Sequence, residues 1–328
     1  MKVALIGTGG MGINHLEAYK FIEDLSVVAV ADTNFEVAQK IADELGCAAF
    51  SSLDDLLSEM TPEVVVICAP SFLHYEYSMK CMEKGIHVFC EKPMAHTCEQ
   101  ADKMIAKAKE KGVKLTIGQV LRYWPEYKYL KEQILSQELG KLRHLSLTRY
   151  YGMHPEGSWY MDPELCKMVC YEMHIHDTDM VNYLFGLPDA VHSIGWEEPD
   201  IHLSYINTHY IYRDKDITVV AEGGWNDSTF PWTSGYIAVF EHGVIQYSDG
   251  RVAVYPAGKD VFYPEFENVT GVPSELDGVY LEMLDFIAMM NDDPNFEGVS
   301  PESARDTIYL VEKECESREK GTIVELEK

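Results

Sequence analysis

The pattern of apolar and polar positions along this chain changes character once, just after Gly118. Before that point, continuous apolar runs alternate with mixed, helix-like segments. Val3-Ala4-Leu5-Ile6, Val27-Val28-Ala29-Val30-Ala31 and Val64-Val65-Val66-Ile67-Cys68-Ala69 are such runs. A strand buried on both faces has no polar side, so it reads as an unbroken apolar stretch. The intervening pattern predicts a helix around His15 to Tyr19 and others over about 35–45, 53–60, 73–84 and 98–111. Shorter strands are expected at 48–50, 87–90 and 113–117. Repeated strand–helix units imply a parallel, doubly wound sheet.

After Gly118 the period falls to two. A helix over about 125–136 precedes the run from Leu142 to Tyr150, where apolar and polar residues alternate as in a strand with one solvated face. Alternation recurs at 202–212, 217–222, 236–241 and 252–255, which suggests a largely antiparallel sheet. The chain closes with helices near 274–290 and 301–320. The expected fold is α/β: a Rossmann-type domain over 1–120 and a second α/β domain over 121–328. No internal repeat or low-complexity segment is present.

Bulk composition narrows the function classes. At 328 residues the chain exceeds most single cores. Its formal net charge of -27 repels phosphate backbones, which argues against DNA or RNA as partners. No apolar run approaches the roughly 20 residues of a membrane span, and the first strand begins too early for a signal peptide. A cytoplasmic location is expected. The eight cysteines are scattered and read as reduced thiols, not as a disulfide framework.

The most informative motif is Gly7-Thr8-Gly9-Gly10-Met11-Gly12, between the first strand and the first helix. Gly7 permits a sharp turn, Gly9 leaves room for a pyrophosphate, and Gly12 lets helix and strand pack closely. The helix N-terminus then offers N–H groups and a positive dipole end to phosphates. Asp32, twenty residues after Gly12, ends the second apolar run and can accept bonds from ribose hydroxyls. Asp32 would repel a 2'-phosphate, and Thr33-Asn34 provides no arginine to receive one. NAD is therefore the expected cofactor.

Other candidates lie where ligands bind in open α/β sheets, beyond the carboxyl ends of strands. Ala69-Pro70 with His74, Glu91-Lys92-Pro93, and Gly118-Gln119 through Arg122-Tyr123 all sit there. A lysine directly after a buried strand is costly to bury unpaired, and Pro93 restricts its backbone. A solvated loop lysine is the alternative. The segment from Glu172 to Asp179 is a second constellation. Helical spacing puts Glu172 and His176 on one face, with Asp179 one turn beyond. A carboxylate beside an imidazole can set its tautomer and raise its basicity; a polar helix start is the bland alternative. Cys166, Cys170, His174 and His176 are residue types that zinc prefers, but their spacing matches no usual zinc pattern, and no metal is expected.

Together these motifs resemble the Gfo/Idh/MocA oxidoreductases, which include glucose–fructose oxidoreductase and inositol dehydrogenases. The resemblance extends over essentially the whole chain. It rests on the 7–12 loop, Ala69-Pro70 with His74, Glu91-Lys92-Pro93, Gly118-Gln119 through Arg122, and 172–179 followed by Leu184 and Gly186. It implies a Rossmann domain joined to a second α/β domain with a large open sheet, which commonly forms a homodimer or homotetramer interface. It also implies Lys92 and His176 as the catalytic pair and Glu172 as the supporting carboxylate. On the cofactor side it implies the 7–12 loop with Asp32, Thr33, Ala69, Pro70, His74, Glu91, Lys92 and Gln119. Two departures touch the substrate side: Glu172 stands where Asp is usual, and Lys167-Met168 where Gly-Gly is common.

The activity expected is NAD-dependent oxidation of a secondary hydroxyl of a sugar, sugar derivative or cyclic polyol. His176, with an unperturbed pKa of about 6.5, suits a proton acceptor, and Lys92, at about 10.4, an ammonium that stabilises the developing alkoxide. The reverse assignment stays open. Arg122, Tyr123 and Trp159, with Trp124, His154 and Tyr160, form a polar and aromatic set suited to a carbohydrate, although core packing explains any one of them. An NAD-assisted glycosidase or lyase, working by transient sugar oxidation, is the alternative. A non-enzymatic NAD sensor fits less well, because it needs no proton acceptor.

Overall fold

The computed structural model describes every residue except 153–157, 163, 199–202, 227, 270, 294–295, 297 and 328. The chain forms two compact units, Met1–Tyr123 with Asn268–Arg305, and Trp124–Glu267 with Asp306–Lys328.

In the first unit, β1 (Lys2–Ile6), β2 (Ser26–Ala31), β3 (Ala48–Phe50), β4 (Val64–Ile67), β5 (His87–Glu91) and β6 (Leu115–Gly118) form one parallel sheet in the order β3-β2-β1-β4-β5-β6. Helices α1 (Gly10–Tyr19), α2 (Phe35–Leu45), α3 (Leu53–Glu59), α4 (His74–Glu83) and α5 (Cys98–Lys111) connect the strands. Their ends are written locally. Asn34, Ser52 and Thr97 accept from main-chain N–H groups at the starts of α2, α3 and α5, and the left-handed Gly46 and Gly112 stop α2 and α5. Strand order reverses between β1 and β4, so their carboxyl ends open a crevice there.

The second unit begins with α6 (Pro125–Ser136). Its sheet contains β7 (Leu142–Tyr151), β8 (Ala190–Glu198), β9 (Leu203–Ile211), β10 (Thr218–Trp225), β11 (Thr233–Phe240), β12 (Gly243–Ser248), β13 (Arg251–Pro256) and β14 (Val324–Glu325). The order is β13-β12-β11-β7-β10-β9-β8-β14; β7 and β10 pair in parallel and every other pair is antiparallel. One face is buried, through Leu145, Leu147, Ile206, Tyr210, Val219, Ala221, Tyr236 and Ala238. Helix α7 (Ile175–Phe185) contacts β7 and β10. Strand β8 escaped the sequence reading because it buries Ser193 and exposes Ile194 and Trp196, the reverse of the usual alternation. Strand β14 has only two residues, too few for any period.

Two helices follow the sheet, α8 (Asp277–Met290) and α9 (Pro301–Lys320). The division expected from sequence, 1–120 and 121–328, assigns α8 to the second domain. Instead, Val279, Met283 and Phe286 of α8, with Val272 and Leu276 before it, share one buried cluster with Leu16, Tyr19 and Phe89 of the first unit. Late chain therefore completes the first core. Helix α9 belongs to the second unit from Asp306 onward.

Candidate active site

The first unit holds the phosphate-loop candidate. Gly7 has a φ of +91°, and a Cβ there would lie 2.6 Å from the main chain of Cys68. A Cβ on Gly12 would lie 2.0 Å from the Gly7 carbonyl oxygen, so helix and loop touch as the motif requires. Above Gly9 and Gly10 a Cβ would meet nothing within 4 Å. Helix α1 starts with no side-chain cap and no acidic residue in its first turn. Its opening N–H groups are thus left for an anion. These features fit a dinucleotide pyrophosphate.

Asp32 is tied to this loop. Its Oδ2 accepts from Thr8 N at 2.7 Å and Thr8 Oγ1 at 2.8 Å, and its Oδ1 accepts from Asn34 N at 2.8 Å. Asp32, Thr33, Gly7, Ala69 and Pro70, all expected on the cofactor side, line one cleft together with Ser51, Ser52 and Tyr77. Thr8 is buried, and Met11 is half-buried in the turn that follows.

Lys92 leaves the end of β5. Across residues 88–95 it is the one residue that is not buried. The Lys92–Pro93 peptide is cis. His74, the first residue of α4, is buried, with Nδ1 2.7 Å from the Pro93 carbonyl and Nε2 2.8 Å from the Ala69 carbonyl. Burial pushes its pKa down against those two carbonyls. Its ring thus ties the Ala69 loop to the Lys92 turn.

Glu91, just before the lysine, is buried and bonded to His15, Nε2 to Oε1 at 2.7 Å. A Cβ on Gly118 would come within 3.0 Å of the same carboxylate oxygen. Neither His15 nor its neighbour Glu282 was singled out from sequence. The spacing of His15, three residues past Gly12, was visible but carried no known requirement.

Gln119, Arg122 and Tyr123 follow β6 and are all buried. Arg122 Nη2 donates to Ser303 Oγ at 2.9 Å. Burial, with Asp285 and Glu282 nearby, pushes the Tyr123 phenol far above its ordinary pKa. Both side chains expected at a substrate mouth are therefore engaged inside the first unit.

In the second unit, Cys170–His174 form a π-helical turn that runs directly into α7. Such turns often accompany functional positions, because they displace side chains from the regular helical spacing. Glu172 lies in it and is buried. Across residues 168–182, His176 is the one residue that is not buried. Its neighbours are committed elsewhere. Asp177 pairs with Arg149 of β7, and Asp179 accepts from Thr307 at 2.9 Å. His174 Nε2 lies 3.4 Å from Glu314, whose other oxygen accepts from Tyr210 at 2.6 Å. Asp179 was expected one helical turn beyond His176; its bond to Thr307 makes it a tether to α9.

Trp159 and Tyr160 are half-buried and stack on each other, centroids 3.9 Å apart, with Tyr160 edge-on to Trp225 at 5.9 Å. Trp124 packs against Tyr127 instead, at 6.2 Å. His154 lies outside the described residues. None of the eight cysteines is in a disulfide bond. Among the described residues, Cys166, Cys170, His174 and His176 do not bring ligand atoms close enough to share an ion, and Cys170 instead lies 3.6 Å from Arg318. Among the described residues no helix is long and apolar enough to cross a membrane.

Comparison with known proteins gives concordant matches. Residues 1–119 match the GFO_IDH_MocA model, described as an oxidoreductase family with an NAD-binding Rossmann fold, and residues 127–224 match the GFO/IDH/MocA C-terminal domain. The chain is 34% identical over 195 residues to 2,7-anhydro-N-acetylneuraminate hydratase of Mediterraneibacter gnavus, covering 58% of this chain and 51% of that protein. It is 33% identical over 196 residues to UDP-N-acetylglucosamine 3-dehydrogenase of Acidithiobacillus ferrooxidans, covering 60% and 58%. The chain thus spans between half and three fifths of the length of these two relatives. Among solved structures, levoglucosan dehydrogenase in complex with NADH and levoglucosan superposes with a TM-score of 0.84 at 18% identity, covering 100% of both chains. That likeness concerns the fold.

Proposed function

Because the chain belongs to the Gfo/Idh/MocA oxidoreductase family, we propose that it is an NAD-dependent dehydrogenase of a sugar, sugar derivative or cyclic polyol such as an inositol. The observation that carries this reading is the exposure pattern. Lys92 and His176 each break a long buried run, and each is a residue type that handles protons. A side chain that serves a substrate must reach it, whereas its neighbours are free to pack.

Bound NAD supplies the acceptor for a hydride. The protein must take the hydroxyl proton. His176 is the proposed acceptor, and Glu172, four residues earlier, the carboxylate that supports it. Lys92 holds the hydroxyl oxygen and stabilises negative charge as it develops there. The stacked Trp159–Tyr160 pair offers a flat apolar surface suited to a sugar face. Asp32, fixed by Thr8 and Asn34, places a negative charge where a 2'-phosphate would come, which favours NAD over NADP.

A second reading is an NAD-assisted glycosidase or lyase, in which sugar oxidation is transient and an elimination follows. The 34% identity to a hydratase favours keeping it. A screen of polyols, aldoses and glycosides with NAD separates the two: net NADH absorbance marks a dehydrogenase, aglycone release without it marks the second reading. With the substrate found, Lys92→Ala and His176→Ala should each lower kcat by about 10²–10⁴ while NADH binding is retained. Full turnover in Lys92→Ala would sink the proposal.

A homodimer or homotetramer is also proposed. The sheet of the second unit leaves Ile194, Trp196 and Ile237 exposed, 55%, 47% and 44% respectively, and a partner subunit would remove such apolar side chains from water. Light scattering coupled to gel filtration tests it; a monomer at micromolar concentration would refute it.

A further inference from the structure

Three elements converge beneath the Lys92 turn within the first unit. Helix α1 supplies His15, β5 supplies Glu91 and α8 supplies Glu282, and all three are buried. His15 Nε2 lies 2.7 Å from Glu91 Oε1 and 4.0 Å from Glu282 Oε1. The other ring nitrogen, Nδ1, is 2.8 Å from the Tyr19 hydroxyl, which holds the imidazole from behind. Glu91 Oε2 in turn accepts from the Lys92 main-chain N–H at 3.3 Å. A displacement of the Glu91 carboxylate is therefore passed directly to the lysine's backbone.

Glu282 is 2% exposed, and neither of its carboxyl oxygens has a hydrogen-bond partner. The ionisable groups around it are His15 and Tyr19 from α1, Cys68 after β4, Glu91 from β5 and Tyr123 after β6. A carboxylate does not persist in such surroundings, because a buried charge without bonds loses its hydration and gains nothing in return. Burial, and then the Glu91 charge, push the Glu282 pKa well above the usual carboxylate range. Burial also acts on Glu91, but the His15 hydrogen bond and the charges of His15 and Lys92 outweigh it and hold Glu91 low. Of the two carboxyl groups, the negative charge thus rests on the one next to the lysine.

We propose that Glu282 is a positioning residue: its carboxyl group, 4.0 Å from the His15 nitrogen that bonds Glu91, backs the His15–Glu91 pair, and through that pair it holds the turn that presents Lys92. The proposal rests on the reading of Lys92 as a group that acts on substrate. It explains why a helix from the last sixth of the chain returns to the first unit with an acidic residue on its buried face. A carboxyl there serves no packing purpose that leucine would not serve better.

The test reads the lysine itself. The protein, with NADH bound, is labelled with acetic anhydride, and the rate at Lys92 is compared with the rates at exposed Lys20 and Lys103 by peptide mass spectrometry. Glu282→Ala should label Lys92 at least about three-fold faster, because a loosened turn opens more often. It should also lower kcat by about ten-fold at unchanged NADH affinity. Glu282→Gln fills the same space and cannot ionise, so it should restore both towards wild type. Should Glu282→Ala fail to fold, Glu282→Asp, one methylene shorter, is read in its place with the same expectation. Unchanged Lys92 labelling and kcat in the shortened variant would overturn the proposal, as would a Gln variant no better than Ala. Stoichiometric metal in the purified protein that is lost in Glu282→Gln would overturn it too. Normal turnover of Lys92→Ala would instead remove the catalytic reading while leaving the labelling result standing.

Discussion

Arg149 and Asp177 form a two-pronged ion pair in which neither side chain is exposed: Nε to Oδ2 and Nη2 to Oδ1, each at 2.9 Å. Arg149 belongs to β7, and Asp177 directly follows His176 on α7. The pair therefore anchors α7 to the sheet at the residue next to His176. Removing one partner strands a buried charge, which costs about 3–5 kcal/mol. Asp177→Ala should lose that much stability in urea unfolding, and Arg149→Met combined with Asp177→Leu should recover most of it. A loss below about 1 kcal/mol for Asp177→Ala would mean that the pair does not hold the helix.

Gly9 and Gly12 belong to one loop but should fail differently. A methyl group on Gly12 runs into the Gly7 carbonyl, and one on Gly9 projects into open space. Gly12→Ala is expected to destabilise the fold by at least ~1–3 kcal/mol through overpacking. Gly9→Ala should leave the melting temperature in place and weaken NADH binding, because the methyl group occupies the approach of the pyrophosphate. Thermal melts and NADH fluorescence titrations on the two variants check both. Equal NADH affinity in Gly9→Ala and wild type would remove that glycine from the cofactor site.

Asp32 should set the cofactor preference. A 2'-phosphate adds nearly two negative charges beside a carboxylate already held by three donors. NAD should therefore exceed NADP in kcat/KM by at least about ten-fold, the equivalent of ~1.4 kcal/mol. Asp32→Ala should shrink that ratio, and should also weaken NAD itself, since Thr8 loses its anchor. Equal kcat/KM with both cofactors in the wild type would refute the assignment.

Glu282 should leave a signature in stability against pH. Its folded pKa is raised, so between the ordinary carboxylate range, near 4.3, and that raised value the folded state holds a proton the unfolded state has lost. Stability then falls as pH rises across this window, by up to about 1.4 kcal/mol per pH unit from this group. Glu282→Gln cannot lose a proton, so its stability should decline less steeply above pH 5. Parallel curves for the two proteins, from urea unfolding at pH 5 to 8, would show that Glu282 is ionised in the fold.

Much of the architecture was legible in short windows. Unbroken apolar runs marked the parallel strands, caps such as Asn34 and Gly46 marked α2, and alternation marked most of the second sheet. Strand β8 was not legible, because Ile194 and Trp196 point outward while Ser193 is buried. The loop was readable from glycine spacing, because Gly7 and Gly12 each answer a local steric demand. Of the expected substrate-side residues, Arg122 and Tyr123 proved buried and bonded within their own unit. Nothing in a linear pattern distinguishes a tyrosine that lines a mouth from one packed beside Asp285.

The amino-acid order alone determined the Rossmann sheet and the 7–12 loop with Asp32, since periodicity, turn geometry and motif spacing all act over a few residues; the candidate pair Lys92 and His176 came from the resemblance of the motifs to a known family. Tertiary structure alone decided that α8 completes the first core, that Glu282 joins His15 and Glu91, and that Arg149 pairs with Asp177. A buried charge takes its partner from whichever element the packing of apolar faces brings against it. That choice is made across more than a hundred residues, where sequence carries no period to read.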